Sequence, residues 1–168
     1  MSVLRGIDIS DGMVELYNSV AQKQGLPADK MHAVQGDLLT DPAHLKDPDL
    51  YDFDVVAICM SLHHVEDAGK MVQKLAERLR PGGTLLIIDG VSPEESGCNP
   101  PPQPAQLPAA PTITYQGFTE KQMLGMFEEA GLTDLSYRWH PERFKGPEEI
   151  GGDQQLFFAR AQKAPAAV

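Results

Sequence analysis

The 168-residue chain is poor in positive charge: 14 lysines and arginines stand against 24 aspartates and glutamates, a formal net charge of −10. A nucleic-acid binder offers a basic stripe to phosphates, so this balance argues against DNA, RNA and anionic membranes as partners and serves solubility instead. No apolar run approaches the roughly 20 residues that a membrane-spanning helix needs. The N-terminus lacks the basic and then apolar stretch of a secretory signal. Cysteine is scarce. Cys59 lies in an apolar run and Cys98 in a proline-rich one, a context that points to free thiols in a reducing, cytoplasmic compartment. Glycine is plentiful, yet its 15 copies nowhere form a GxGxG turn. Gly82–Gly83 and Gly151–Gly152 precede strand-like runs, whereas a phosphate or cofactor cradle needs strand, glycines and helix in that order.

What is present alternates between two periods. Val3–Ile9 reads as a strand, and Ser10 or Asp11 can cap the helix after it. In that helix Met13, Leu16, Tyr17, Val20 and Ala21 recur at three- and four-residue spacing, which predicts one buried face. Met31–Val34 is a short strand running into QGDLL, and Asp41–Asp49 a polar connection. FDVVAICMSL has no alternation, as expected of a strand buried on both faces. DAGKMVQKLAERLR predicts a helix with Met71, Leu75 and Leu79 inside and Lys70, Lys74 and Arg78 outside. PGG stops it, and TLLIID is a second doubly buried strand. Half of the 14 prolines fall in Ser92–Pro111, so a loop is expected over Ser92–Gln116. Thr119 caps a helix that places Met123, Met126, Phe127 and Ala130 inward, with Gly131 as its stop. Strands near Leu132–Trp139 and Gln155–Ala161 flank a polar turn at Pro147–Gly152. Strand, helix and strand in repetition predict one α/β domain over residues 1–168, built on a parallel sheet.

The segments GIDISDGMVE, VQGDLL, FDVVAICMSLHHVED, LAERLRPGGTLLIID and GFTEKQMLGMFEEAGL, in that order, resemble the later motifs of the class I S-adenosylmethionine-dependent methyltransferases, small-molecule branch. The resemblance runs from about Val3 to Ala161. It implies a Rossmann-like sheet, mostly parallel with an antiparallel C-terminal strand, and methyl transfer from S-adenosylmethionine to a small organic molecule. By the same likeness Asp8 accepts from the ribose hydroxyls, with Ile9 and Met13 as an apolar wall to adenine. Asp37 accepts from the adenine amino group, the Leu38 N–H reaches a ring nitrogen, and Gly36 permits the turn. The backbone of Cys59, Met60 and Ser61 holds the methionine part, and Tyr115 helps cover the substrate.

Each residue has a plainer account: a helix-leading Asp, a turn Asp, ordinary packing. His63 and His64 are the paired titratable groups and candidate proton acceptors, although structural histidines at a strand–helix junction explain them as well. A metal site at His63, His64 and Asp67 is not expected, because adjacent histidines on a turn diverge. The chain departs from the family in lacking its first strand and glycine-rich turn, so the fold is expected to be N-terminally incomplete. The strands on either side of that missing neighbour would then pair directly, be covered by another chain, or stay marginal. A non-catalytic module that has lost the cofactor and associates through an exposed sheet edge is the alternative to an enzyme. A nicotinamide or flavin enzyme would need the same glycine turn and fits less well.

Overall fold

The strand and helix signals resolve into eight strands and four helices in a computed structural model, which describes residues 2–40, 42–98, 112–145 and 153–166. They fall into two units, Met1–Leu50 and Tyr51–Val168. In the first, β1 (Leu4–Asp8), α1 (Asp11–Lys23) and β2 (Met31–Gln35) form a parallel pair with its crossover helix, Leu4 opposite Met31 and Asp8 opposite Gln35. Ser10 is the cap: its hydroxyl accepts from the Met13 N–H at 3.4 Å. Asn18 of α1 takes the place of a further strand beside β2. Its amide accepts from the Ala33 N–H at 2.8 Å and donates to the Ala33 carbonyl at 3.0 Å, so both polar groups of that residue are satisfied. Two 3-10 turns, Ala43–Lys46 and Pro48–Leu50, add Leu45 and Leu50 to a small core of Ala21, Ala33 and Leu38. Arg5 grips Asp49 at 2.5 and 3.0 Å, and this hydrogen bonding holds the Asp49 carboxyl below its ordinary range.

The helical stripe of α1 is only partly covered. Ala21 is buried and Tyr17 half-buried, but Met13, Leu16 and Val20 are exposed, Leu16 to 56%. The periodicity is right; a two-stranded sheet is too narrow to cover the whole face.

The second unit runs β3 (Phe53–Cys59), α2 (Ala68–Glu77), β4 (Leu79–Gly90), α3 (Pro93–Ser96), α4 (Glu120–Glu129), β5 (Leu132–Trp139), β6 (Phe144–Lys145), β7 (Asp153–Gln154) and β8 (Leu156–Lys163). Its main sheet has the order β3-β4-β8-β5, with β3 parallel to β4 and β8 antiparallel to both its neighbours. This is the expected Rossmann-like α/β arrangement, parallel with an antiparallel C-terminal strand. Phe118, Phe127 and Phe157 pack with Val72, Leu85, Ile87 and Met123 in the core. The Thr119 cap expected for α4 is present, and it is a full capping box: Thr119 Oγ1 accepts from the Gln122 N–H, and Gln122 Oε1 accepts from the Thr119 N–H.

Three expectations are corrected. β3 is not buried on both faces: none of its residues is fully buried and Val55 is 59% exposed. Its sole ladder partner among the described residues is β4, so no second neighbour shares its covering layers. In β4, Leu85, Ile87 and Asp89 are buried while Thr84, Leu86 and Ile88 are half-buried, which makes one face dry rather than two. Arg78, placed outside by helical spacing, is buried with its guanidinium 4.1 Å above the Tyr51 ring, because α2 ends at Glu77 and the chain has already turned.

The ladder resumes before the glycine pair. Phe53 sits opposite Leu79 and Val55 opposite Thr84, so β4 bulges across Arg80–Gly83. Of the proline-rich stretch, Pro93–Ser96 is one helical turn capped by Ser92, and residues 99–111 lie outside the described residues. So does the turn expected at Pro147–Gly152, with its glycine pair. Among the described residues no helix is long and apolar enough to cross a membrane.

At Gly83 a Cβ would stand 2.7 Å from the Phe53 carbonyl oxygen and 3.0 Å from that of Arg80, both backbone. Gly83→Ala should therefore force β3 from β4 and lower the stability of this unit by roughly 2–3 kcal/mol. Urea unfolding followed by circular dichroism reads the change.

Candidate cofactor and proton-transfer sites

In a parallel pair the carboxyl ends of both strands lie side by side, and the first unit places its two candidate carboxylates there. The Gly36 N–H donates to the Asp8 carbonyl at 2.9 Å, which carries the pairing of β1 and β2 one residue past its last register partners. Asp8 is half-buried. Its Oδ1 accepts from the Ser10 N–H at 2.8 Å, and its second oxygen has no hydrogen-bond partner among the described residues. Asp37 has the same local geometry: Oδ1 accepts from the Leu39 N–H at 2.8 Å and the other oxygen is unengaged. Both carboxylates are thus oriented by one short backbone bond and keep an oxygen for a ligand's hydroxyl or amino hydrogen. Ile9, 72% exposed, and Met13 present apolar surface beside Asp8. Gly36 is buried against Leu45, where a Cβ would approach within 2.7 Å of the leucine side chain. Leu38 is buried and anchors the turn.

The second unit gathers the other candidates at the carboxyl end of β3. The Met60 N–H donates to the Ile88 carbonyl at 2.8 Å, extending the ladder. Met60 itself has φ +52°, a left-handed conformation uncommon outside glycine, and it turns the chain into the 3-10 turn Leu62–His64. Ser61 Oγ donates to the Cys59 carbonyl at 3.0 Å. The sequence led us to expect diverging rings at His63 and His64, whereas their centroids are 4.1 Å apart. Even so, no group of three His, Cys, Asp or Glu side chains suited to a metal ion occurs among the described residues.

Sequence reasoning missed Asp89. It closes β4 as Asp8 closes β1, and an acidic residue ending an apolar strand was a usable signal in both cases. Its Oδ1 lies 2.7 Å from His63 Nδ1. It also missed Thr112, whose hydroxyl lies 3.0 Å from His64 Nδ1, and the double donation of the Thr114 and Tyr115 N–H groups to the His63 carbonyl.

Residues 2–85, half of the chain, match a family model described as "Methyltransferase domain". The chain belongs to this methyltransferase family. It is 30% identical over 131 residues to the uncharacterized methyltransferase C1347.09 of Schizosaccharomyces pombe, covering 77% of the present chain and 45% of that protein. The crystal structure of YcgJ from Bacillus subtilis superposes with a TM-score of 0.70 at 16% identity, over 98% of this chain and 84% of that one. A Haemonchus contortus N-methyltransferase solved with phosphomonomethylethanolamine and S-adenosylhomocysteine gives a TM-score of 0.64 at 14% identity, over 97% and 44% of the two chains. The present methyltransferase-family chain spans about half or less of the length of the first curated relatives it matches.

Both cysteines are free thiols. Burial, reinforced by the Asp89 charge, pushes the Cys59 thiol above its ordinary range. Its alkylation by iodoacetamide, read by peptide mass spectrometry, should reach its midpoint at a higher pH than that of a short cysteine peptide, about 8.5. A midpoint at or below that of the peptide contradicts the assignment.

Proposed function

We propose that the protein binds S-adenosylmethionine and transfers its methyl group to a small organic molecule. The observation that carries this reading is the pair Asp8 and Asp37 at adjacent strand ends, each with one oxygen fixed by a backbone N–H and one unengaged. In a chain of this family such carboxylates suit the ribose hydroxyls and the adenine amino group respectively. The Leu38 N–H is the donor to the ring, and Ile9 and Met13 are the apolar wall. The cofactor supplies an electrophilic methyl carbon. The protein's own task is to hold the acceptor in line with it and exclude water. The Haemonchus relative's bound S-adenosylhomocysteine supports the choice of cofactor. A net charge of −10 supports a small-molecule acceptor rather than nucleic acid or an anionic membrane, and a cytoplasmic setting fits the free thiols.

Isothermal titration with S-adenosylhomocysteine tests the reading. Binding should be measurable, and Asp8→Ala should weaken it by about tenfold or more, the loss of a charge-assisted contact of roughly 1.5–3 kcal/mol. Absence of binding at millimolar ligand, or equal binding by the variant, contradicts it.

A second reading rests on a different observation. Among the described residues β3 has one ladder partner and exposes Val55 and Ala57, so its open edge suits association with another chain. A non-catalytic module of this kind should be an oligomer by light scattering. A monomer that binds S-adenosylhomocysteine removes this alternative.

A further inference from the structure

In the first unit β1 has an open edge. Its one ladder partner among the described residues is β2, and the Leu4 N–H and Asp8 carbonyl are spent on that side, on Lys30 and Gly36 at 2.8 and 2.9 Å. Alternation along a strand therefore turns the N–H and C=O of Arg5 and Ile7 to the other side. An exposed edge is normally blunted by a bulge, a proline or an outstretched charge. β1 has none of these: its register with β2 is unbroken, and the Arg5 side chain, 5% exposed, is folded onto Asp49. The apolar stripe of α1 lies toward the same edge. Asn18 holds the Ala33 N–H and carbonyl at the far edge of β2, and Met13, Leu16 and Val20 stand about 140–160° around the helix from Asn18. All three are exposed.

We propose that this composite face, the β1 edge with the α1 stripe beside it, pairs with the same face of a second copy of the chain across a two-fold axis perpendicular to the sheet. The operation lays β1 antiparallel to its copy, so that Arg5 of each strand exchanges N–H and C=O bonds with Ile7 of the other. The sheet becomes four strands wide. Both α1 helices then lie on one side of it, antiparallel and stripe to stripe. Crossover helices seated over adjoining strand pairs stand about two strand spacings apart, roughly 10 Å, which matches the separation of packed helices, about 8–10 Å. The register is self-complementary. A Cβ on Gly6 would lie 3.7 Å from the Tyr17 ring, so an axis through Gly6 passes near the middle of α1. Met13 then meets Val20 of the second copy, and Leu16 meets its own counterpart. Lys23 comes level with Asp11 of the second copy, a match of opposite charges between two exposed side chains. Each helix N-terminus also lies beside the other's C-terminus, where the dipoles attract. A two-fold contact requires one face to complement itself, and strand edge, stripe and charges all do so under the same axis.

Sedimentation velocity of the full chain tests the proposal and needs no cofactor. The wild type should form a dimer at micromolar protein. Leu16→Glu, a change at an exposed position, should keep the wild-type circular dichroism spectrum and shift the chain to monomer. In Leu16→Cys, mild oxidation should join position 16 to position 16 of the second copy, read as a cross-linked peptide by mass spectrometry. Gln22→Cys, on the other side of α1, should not cross-link to itself. Lys23→Asp should weaken the dimer several-fold, and adding Asp11→Lys should restore it; no recovery overturns the antiparallel register. A wild type that stays monomeric up to millimolar protein overturns the proposal. So does a dimer that survives Leu16→Glu and lacks the position-16 cross-link, an outcome that assigns association to the β3 edge or another surface. Should Leu16→Glu fail to fold, the cross-link and the charge exchange decide. None of these positions belongs to the proposed cofactor site, so the result is separate from that of the titration with S-adenosylhomocysteine.

Discussion

Every backbone N–H and C=O in a dry sheet needs a partner, and the ladder between β3 and β4 is where this constraint organises the second unit. It aligns Cys59 with Ile88 and lets the Met60 N–H reach the Ile88 carbonyl, so the chain leaves β3 at a defined height beside the end of β4. His63 and Asp89 meet because the two strands are in register and end together. Gly83 is part of the same constraint, since only a residue without Cβ lets the Phe53 carbonyl come so near. Beyond β3 no ladder continues among the described residues, which accounts for the exposure of Val55 in a run that reads as core.

Buried polarity is the second organising feature. A polar side chain 1% exposed is costly unless it is hydrogen-bonded; two backbone N–H groups and the His63 imidazole meet Asp89, and its side-chain partner among the described residues is that ring rather than a lysine or arginine. Asp49 shows the contrast within the same chain: it meets the always-charged Arg5, faces solvent, and has a role confined to fastening β1 to the turn after β2.

Local signals were legible in the sequence. Ser10 and Thr119 cap the helices they precede, the α4 face turns Met123 and Phe127 inward, and Leu132–Trp139 is a strand with the expected ends. These features depend on residues within one or two turns of each other. Burial was not legible in the same way. Whether Leu16 or Val55 is covered depends on how many strands lie beside it, which periodicity does not encode. Arg78 shows the complementary failure, for helical spacing presumes a helix that has already stopped at Glu77. At the site, Asp8 and Asp37 could be singled out because they follow strands and lead turns. Asp89 has the same place at the end of β4, but its importance lies in a partner 26 residues away along the chain.

The fold by itself does not decide the chemistry. Likeness to YcgJ at 16% identity shows shared architecture, and one architecture hosts many activities. What separates an enzyme from a retained scaffold here is the number of directed contacts left for a cofactor. In the proposed reading those contacts come from Asp8 and Asp37, each with one oxygen fixed by a backbone N–H and the other unengaged among the described residues. A charge-assisted contact is worth roughly 1.5–3 kcal/mol against about 1 for a neutral one, so the proposal rests on this pair and not on the architecture.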